Sequence, residues 1–312
     1  MNAPKGVLAI VGATATGKSA LAVEVALRLG GEVISADAFT AYRGIDVGTA
    51  KPTLEERRGV PHHLIDLKEP LEPFSAGEFA RLARGAAREI LSRGRLPILC
   101  GGTGFYVRAF FDGLFVGPPR DERLRAALRA VQERRGAPWL VEALALLDPE
   151  SGARISLRDG ARAIRYLEIA FSTGRRPSEL FRERPGERWE GPAEKVLLAL
   201  PRPDLHARIE RRFRDSIMAG LPDEVRRLRE AGVSPSAPGM AAIGYRETVD
   251  LLEGRLSRDA WAETVVRETR RYAKRQETWF RAEPGLHTLR ADAPGLVDEV
   301  VRASLPLFSC AF

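Results

Sequence analysis

Cysteine is nearly missing from this 312-residue chain, which has only Cys100 and Cys310. The two have no metal-ligand spacing and make no disulfide framework, which points to a reducing compartment. His62 and His63 are adjacent, with no cysteine pair to join them, so no zinc finger is expected. Long apolar runs are absent too. None approaches the roughly 18–20 residues that span a bilayer, and "MNAPKG" leads into a strand without a signal-peptide pattern. A cytoplasmic protein with no membrane attachment is therefore expected. Repeats and low-complexity tracts are also lacking. Acidic charge is in deficit, with 42 Asp and Glu against 49 Lys and Arg, a net charge of +7 and a pI near 9.8. Such a balance favours a polyanionic partner, nucleic acid above all, because each neutralised phosphate releases counterions. A solvated, Arg-rich surface has the same composition.

What is present is an alternation of strand and helix signals. "VLAIV" (Val7–Val11) is a continuous apolar run of the kind that forms a buried parallel strand. "EVISAD", "HHLIDL", "LPILC" and, much later, "KVLLAL" read as further strands. Helices are expected at about 18–29, with Leu21, Val25 and Leu29 on one face, and at about 76–93. Strands separated by helices of this length imply an α/β fold, a P-loop-type parallel sheet with helices on both faces. From 118 to 192 only helices are expected, at about 121–134, 139–147 and 159–172, followed by the loop "RERPGERWEGP". That stretch reads as an all-helical insertion domain within a core of 1–117 and 193–312. Two long basic helices follow, at about 204–231 and 258–281. The tail "LPLFSCAF" carries no signal beyond packing or a loose end.

"GATATGKS" places Gly12, Ala13, Thr14, Ala15, Thr16, Gly17, Lys18 and Ser19 between a strand and a helix. The glycines let successive amides converge on anionic oxygens, and the helix N-terminus adds its dipole. Lys18 is expected along the phosphates, with the Ser19 hydroxyl as the protein ligand of a Mg2+ ion. The spacing marks a phosphate site without saying whose phosphates lie in it. Asp37 follows the second strand and either caps a turn or faces the same crevice, since ligands of open parallel sheets sit beyond the strands' carboxyl ends. Thr103, after Gly101 and Gly102, is either a helix cap or a hydroxyl at that crevice. Asp66 is a candidate acidic metal residue for nucleotide hydrolysis, but no water-positioning element accompanies it. Arg267, Arg271, Lys274 and Thr278 share a helix side that is either solvated or faces RNA. Trp279 and Phe280 suit stacking or core packing equally.

Taken together, "GATATGKS", "ISADAFTAYRGIDVGTAKP", "PILCGGTGFY", "RIERRF", "IGYRE" and "YAKRQETWFR" resemble the tRNA dimethylallyltransferase, or tRNA isopentenyltransferase, family. The resemblance runs from about residue 6 to 281. It implies that the cradle holds the diphosphate of dimethylallyl diphosphate, whose prenyl group passes to N6 of the adenosine 3′-adjacent to the anticodon. It further implies that Asp37 takes the N6 proton, that Thr103 steadies the reacting centre and that Arg212 grips the diphosphate. By the same resemblance, contacts to the tRNA anticodon stem-loop fall on Asp37, Ala38, Phe39, Thr40, Thr103 and Arg125. They extend over Ala161, Arg162, Ala163, Ile164 and Arg165, over Ile243, Gly244, Tyr245 and Arg246, and over Lys274, Arg275, Gln276, Thr278, Trp279 and Arg281. Ala38, Thr40 and Ala241 depart from the usual family pattern. The basic insertion is expected to form a second jaw on the RNA, and the chain is expected to act as a monomer. A P-loop nucleotide or small-molecule kinase with a basic lid is the competing reading. A non-catalytic RNA-binding protein is another.

Overall fold

Strands that are apolar throughout have no polar face to offer water, so they settle where both faces are covered. That is their place in the structure, a computed structural model that describes residues 3–115, 117–183 and 186–308. Cys310 and the rest of the tail from 309 lie outside the described residues, as do Arg184 and Pro185 of the expected loop. Strand β1 (Val7–Gly12) is buried at every position and is followed by α1 (Lys18–Leu29). Next come β2 (Gly31–Ser35), the short α2 (Leu54–Arg57) and β3 (His62–His63). Then follow α3 (Ala76–Ser92), β4 (Leu96–Gly101) and α4 (Gly104–Asp112). The sheet is completed by β5 (Ala193–Ala199) and β6 (His287–Arg290), in the order β3-β2-β4-β1-β5-β6 with every pairing parallel. Ile10 stands in register with Cys100 on one side and Val196 on the other. The carboxyl ends of β1, β2 and β4 therefore open onto one crevice. Leu21, Val25 and Leu29 of α1 join Leu8, Ile10 and Ile98 in the core, as their four-residue spacing requires.

The chain falls into two compact units, one of Met1–Phe111 with Trp189–Phe312 and one of Asp112–Arg188, against the expected insertion at 118–192. Trp189 belongs to the first unit because its amide donates to the Phe111 carbonyl at 3.0 Å and its indole stacks on Phe110 at 5.3 Å. The second unit holds α5 (Glu122–Arg135), α6 (Ala137–Leu147), α7 (Pro149–Ala153), α8 (Gly160–Thr173) and α9 (Pro177–Glu183). Its core is Leu128, Leu140, Leu144, Ile164 and Leu167. Buried Asp148 ties α7 to α9, accepting from the hydroxyls and amides of both Ser151 and Ser178. Although burial alone would raise its pKa, those hydrogen bonds hold the carboxyl below its ordinary range.

The first unit also contains α10 (Arg202–Arg212), α11 (Leu221–Glu230), α12 (Tyr245–Leu252), α13 (Arg258–Arg281) and α14 (Leu296–Ser304). Three expectations needed correction. "HHLIDL" extends for only two residues, because Leu64 and Asp66 adopt left-handed φ of 61° and 54° and leave the sheet. The helix expected at 204–231 is broken. A π-helical turn over Phe213–Ile217, closed by the Met218 amide on the Phe213 carbonyl at 2.8 Å, follows Arg212, and Pro222 then restarts the helix as α11. Strand β6 went unpredicted because it is a mostly exposed edge, with only Leu289 buried.

Candidate active site

A cleft of about 590 Å³ opens at the carboxyl ends of the central strands, walled by Gly17, Lys18, Ser19, Asp37, Thr40 and Arg212. The loop between β1 and α1 is shaped for anions. Gly17 takes φ 91°, which L side chains rarely adopt, and Ala15 is held at φ 65°. Among the described residues the amides of Ala15, Gly17, Lys18, Ser19 and Ala20 have no hydrogen-bond partner, and they stand at a helix N-terminus. Not every expected cradle residue contributes. The Thr16 hydroxyl and amide both turn back on the Ala13 carbonyl, at 2.8 and 3.4 Å. The Thr14 amide donates to Gln276 Oε1 at 2.8 Å. These groups shape the loop and are not available to a ligand.

Lys18 Nζ donates to the Ala13 carbonyl at 2.9 Å. Burial pushes its ammonium below the ordinary lysine value, while the nearby Cys100 and Asp37 pull it back up. Arg212 Nη2 donates to Thr14 Oγ1 at 2.9 Å, but its buried Nε has no acceptor among the described residues. Burial lowers the pKa of this guanidinium and the charge of Asp37 opposes the shift. A buried N–H without an acceptor is costly unless a ligand supplies one. Arg208 and Arg211 also line the cleft, as do Asp215 and Ser216. The π-helical turn, which changes which residues of this segment face the crevice, could not be read from the periodicity. Among the described residues no three His, Cys, Asp or Glu side chains form a metal cage. The Ser19 hydroxyl is exposed, has no hydrogen-bond partner among the described residues, and would suit a Mg2+ ion whose other oxygens came from phosphates and water.

Asp37 fills both of its expected roles. Its Oδ1 accepts the Phe39 amide at 2.9 Å, making the turn, while Oδ2 has no hydrogen-bond partner among the described residues and the residue lines the cleft. Thr103 starts α4 with its backbone and not with its hydroxyl. Its hydroxyl accepts the Ala38 amide at 3.2 Å, and its carbonyl receives the amides of Tyr106 and Val107. Tyr272 of α13 lies beside Thr103, Gln276 and Asp37, and burial pushes its phenol up to about 12. Cys100 also lies on the cleft wall, where burial raises its thiol to about 11. Asp66 is not free for a metal: its carboxylate is bound by Lys51 Nζ at 2.6 Å, and Lys51 also grips Asp46 at 2.5 Å.

The expected RNA-contacting positions divide by exposure. Arg246, Lys274, Arg275, Thr278 and Arg281 are exposed in the first unit, as are Ala161 and Arg162 in the second. Ala38, Phe39 and Ile243 are half-buried. Arg125 is also half-buried, with Nε and Nη1 lacking protein partners. Arg165 is engaged with Glu168 at 2.7 Å and the Pro118 carbonyl at 3.0 Å. Four side-chain assignments need correction. Ala163 and Ile164 belong to the core of the second unit, and Tyr245 is fully buried against Glu224. Gln276 is 5% exposed with both ends of its amide occupied. Thr40 is bonded to Ser35 at 2.8 Å and lines the cleft wall. Gly244 is buried as well. Phe280 is a core residue, whereas Trp279 is half-buried under the Arg108 guanidinium at 4.4 Å.

Residues 40–283 match the family model described as IPP transferase, and residues 5–72 match one described as isopentenyl transferase. A tRNA dimethylallyltransferase of Thermomicrobium roseum is 45% identical, covering 96% of this chain and 91% of its own length. One from Anaeromyxobacter dehalogenans is 47% identical over 89% of this chain and 92% of its own. Among solved structures, a full-length tRNA isopentenylpyrophosphate transferase from Bacillus halodurans is 38% identical, with a TM-score of 0.72 and 97% of each chain covered. A eukaryotic dimethylallyltransferase described as acting on tRNA is 27% identical, with a TM-score of 0.74, and 92% of this chain and 74% of that one are covered. These likenesses do not favour the kinase reading.

Proposed function

The chain belongs to the tRNA dimethylallyltransferase family, and on that premise we propose that it moves the dimethylallyl group of dimethylallyl diphosphate onto N6 of the adenosine 3′-adjacent to the anticodon, releasing diphosphate. The observation that carries this reading is the pairing, in one cleft, of an anion cradle with a carboxylate that has a free oxygen. N6 attacks the allylic carbon as the carbon–oxygen bond to diphosphate breaks, and the N6 proton leaves as the carbon–nitrogen bond forms. An exocyclic adenine amine is a weak nucleophile, since its lone pair is delocalised into the ring. Asp37 Oδ2 is the acceptor for the proton and orients the amine beforehand.

Negative charge grows meanwhile on the departing oxygen. The free amides of the cradle, Lys18 and the unpartnered Nε of Arg212 are the groups suited to stabilise it. A Mg2+ ion bound through Ser19 would neutralise diphosphate charge when present. The target base must leave the anticodon-loop stack, which costs less in a loop than in a duplex. The exposed Arg246, Lys274, Arg275 and Arg281, with the basic 112–188 unit, supply positive surface for the stem-loop. On this reading the enzyme works in the cytoplasm as a monomer.

The test is incubation with labelled dimethylallyl diphosphate, Mg2+ and either tRNA or free AMP. Label should pass to tRNA, and Asp37→Ala should abolish transfer while tRNA affinity stays within about threefold. Transfer to AMP alone would refute the acceptor, and a near-normal Asp37→Ala rate would remove that residue from its role.

A further inference from the structure

The side of α13 that faces inward holds the two loops that follow the neighbouring strands β1 and β4. Gln276 is the connecting residue. Its Oε1 accepts the Thr14 amide of the phosphate loop at 2.8 Å, and its Nε2 donates to the Gly102 carbonyl, after β4, at 2.8 Å. A Cβ at position 102 would stand 2.2 Å from Gln276 Nε2, so a larger residue there would displace the Gln276 amide. One residue on, Thr103 accepts the amide of Ala38, the neighbour of Asp37. One helical turn back along α13, Tyr272 sits beside both Thr103 and Gln276. A single buried amide therefore joins the donor side, through Thr14 and the Arg212 that binds its hydroxyl, to the acceptor side, through Gly102, Thr103 and Ala38.

We propose that Gln276 is a positioning residue that sets the diphosphate cradle at a fixed distance from Asp37. The physical reason lies in the loop itself. Ala15 occupies a left-handed conformation that is costly for an L residue, and among the described residues Gln276 is the partner of the Thr14 amide just before it. With that amide turned towards α13 and the Thr16 amide on the Ala13 carbonyl, the Ala15 and Gly17 amides on the cleft wall have no hydrogen-bond partner among the described residues. Alkylation needs the allylic carbon and N6 in line at near-contact distance, so a cradle displaced by about 1 Å loses rate even if both substrates still bind. Gln276 does this from inside the protein, touching neither substrate. The proposal rests on the prenyl-transfer reading for its rate effects but not for its effect on diphosphate binding.

The test compares Gln276→Leu and Gln276→Glu with the parent full-length chain. Circular dichroism and melting temperature establish that each variant is folded. Inorganic diphosphate with Mg2+, titrated calorimetrically, reads the cradle in the absence of any reaction. Gln276→Leu should weaken diphosphate binding about fivefold and slow single-turnover transfer at saturating substrates at least tenfold, with tRNA Kd within twofold of the parent. Gln276→Glu keeps an acceptor for the Thr14 amide but, when ionised, opposes the Gly102 carbonyl. Its carboxyl donates to that carbonyl only when protonated, so its rate relative to the parent should rise as pH falls from 8 to 6. Diphosphate binding and rate both within twofold of the parent in Gln276→Leu would overturn the proposal. A tenfold loss of tRNA affinity at unchanged saturated rate would overturn it too, by making Gln276 an RNA contact. If the parent chain transfers no prenyl group yet Gln276→Leu still weakens diphosphate binding, the reaction assigned to the cleft fails and the positioning role stands. Should Gln276→Leu not fold, the pH response of Gln276→Glu decides, and a ratio flat with pH counts against the proposal.

Discussion

Glu224 offers a sharp test of how the cleft wall at 46–52 is built. Its carboxylate, 3% exposed on α11, is the common acceptor for a loop that has no regular structure of its own. Oε2 takes the amides of Asp46 at 3.0 Å and Val47 at 2.8 Å, and Oε1 takes the Gly48 amide at 3.4 Å and the Tyr245 hydroxyl. Glu224→Ala removes the acceptor and leaves three backbone donors and a phenol facing a cavity. A buried donor left unpaired costs about 1–3 kcal/mol. Allowing for the long Gly48 bond and some water entry, the loss should be about 4–6 kcal/mol, a large part of a typical stability of about 5–15 kcal/mol. Glu224→Gln keeps one oxygen for one pair of donors and turns an NH2 towards the other, so about half that loss is expected. Urea titration followed by tryptophan fluorescence suits the measurement, because Trp261 is buried in the same cluster. Since Thr49, Ala50 and Pro52 also line the cleft, transfer by Glu224→Ala should fall at temperatures where it is still folded. A Glu224→Ala variant within 1 kcal/mol of the parent would refute the reasoning.

Arg212→Ala should weaken inorganic diphosphate binding and slow transfer about 10²–10³-fold, the usual cost of losing one group that stabilises developing negative charge, with tRNA affinity nearly unchanged; a larger loss in tRNA affinity than in donor use would reverse its assignment. Glu32 supplies a pH signature away from the cleft. Its buried carboxylate is held by His63 at 2.7 Å and Arg93 at 2.8 Å, and these bonds outweigh burial and lower its pKa. Its share of stability is thus complete above the ordinary glutamate value of about 4.3 and is lost as pH falls through the lower folded value. Glu32→Gln should therefore flatten the stability curve below about pH 4.5, and a curve with unchanged acid slope would show that this cluster plays no part.

The central sheet and the phosphate loop were legible because both depend on local rules. A strand covered on both faces must be apolar throughout, and a nest of amides at a helix start needs glycine at set intervals. Val7–Gly12, the Gly12–Ser19 loop and α13 follow from such rules with little help from the rest of the chain. Other features depend on partners far away in sequence. Leu64 and Asp66 leave the strand pattern with left-handed backbones, and Lys51 takes the Asp66 carboxylate. Whether Thr103 caps its helix or receives the Ala38 amide was decided across 65 positions of sequence. Gln276 and Tyr245 read as RNA-facing by motif, yet tertiary packing buries both, Gln276 between Thr14 and Gly102 and Tyr245 against Glu224. Local propensity and periodicity thus determined the elements and the loop chemistry. The inward or outward assignment of each polar side chain was left to the tertiary structure, since a buried hydrogen-bonding group must find its partner wherever the fold brings one.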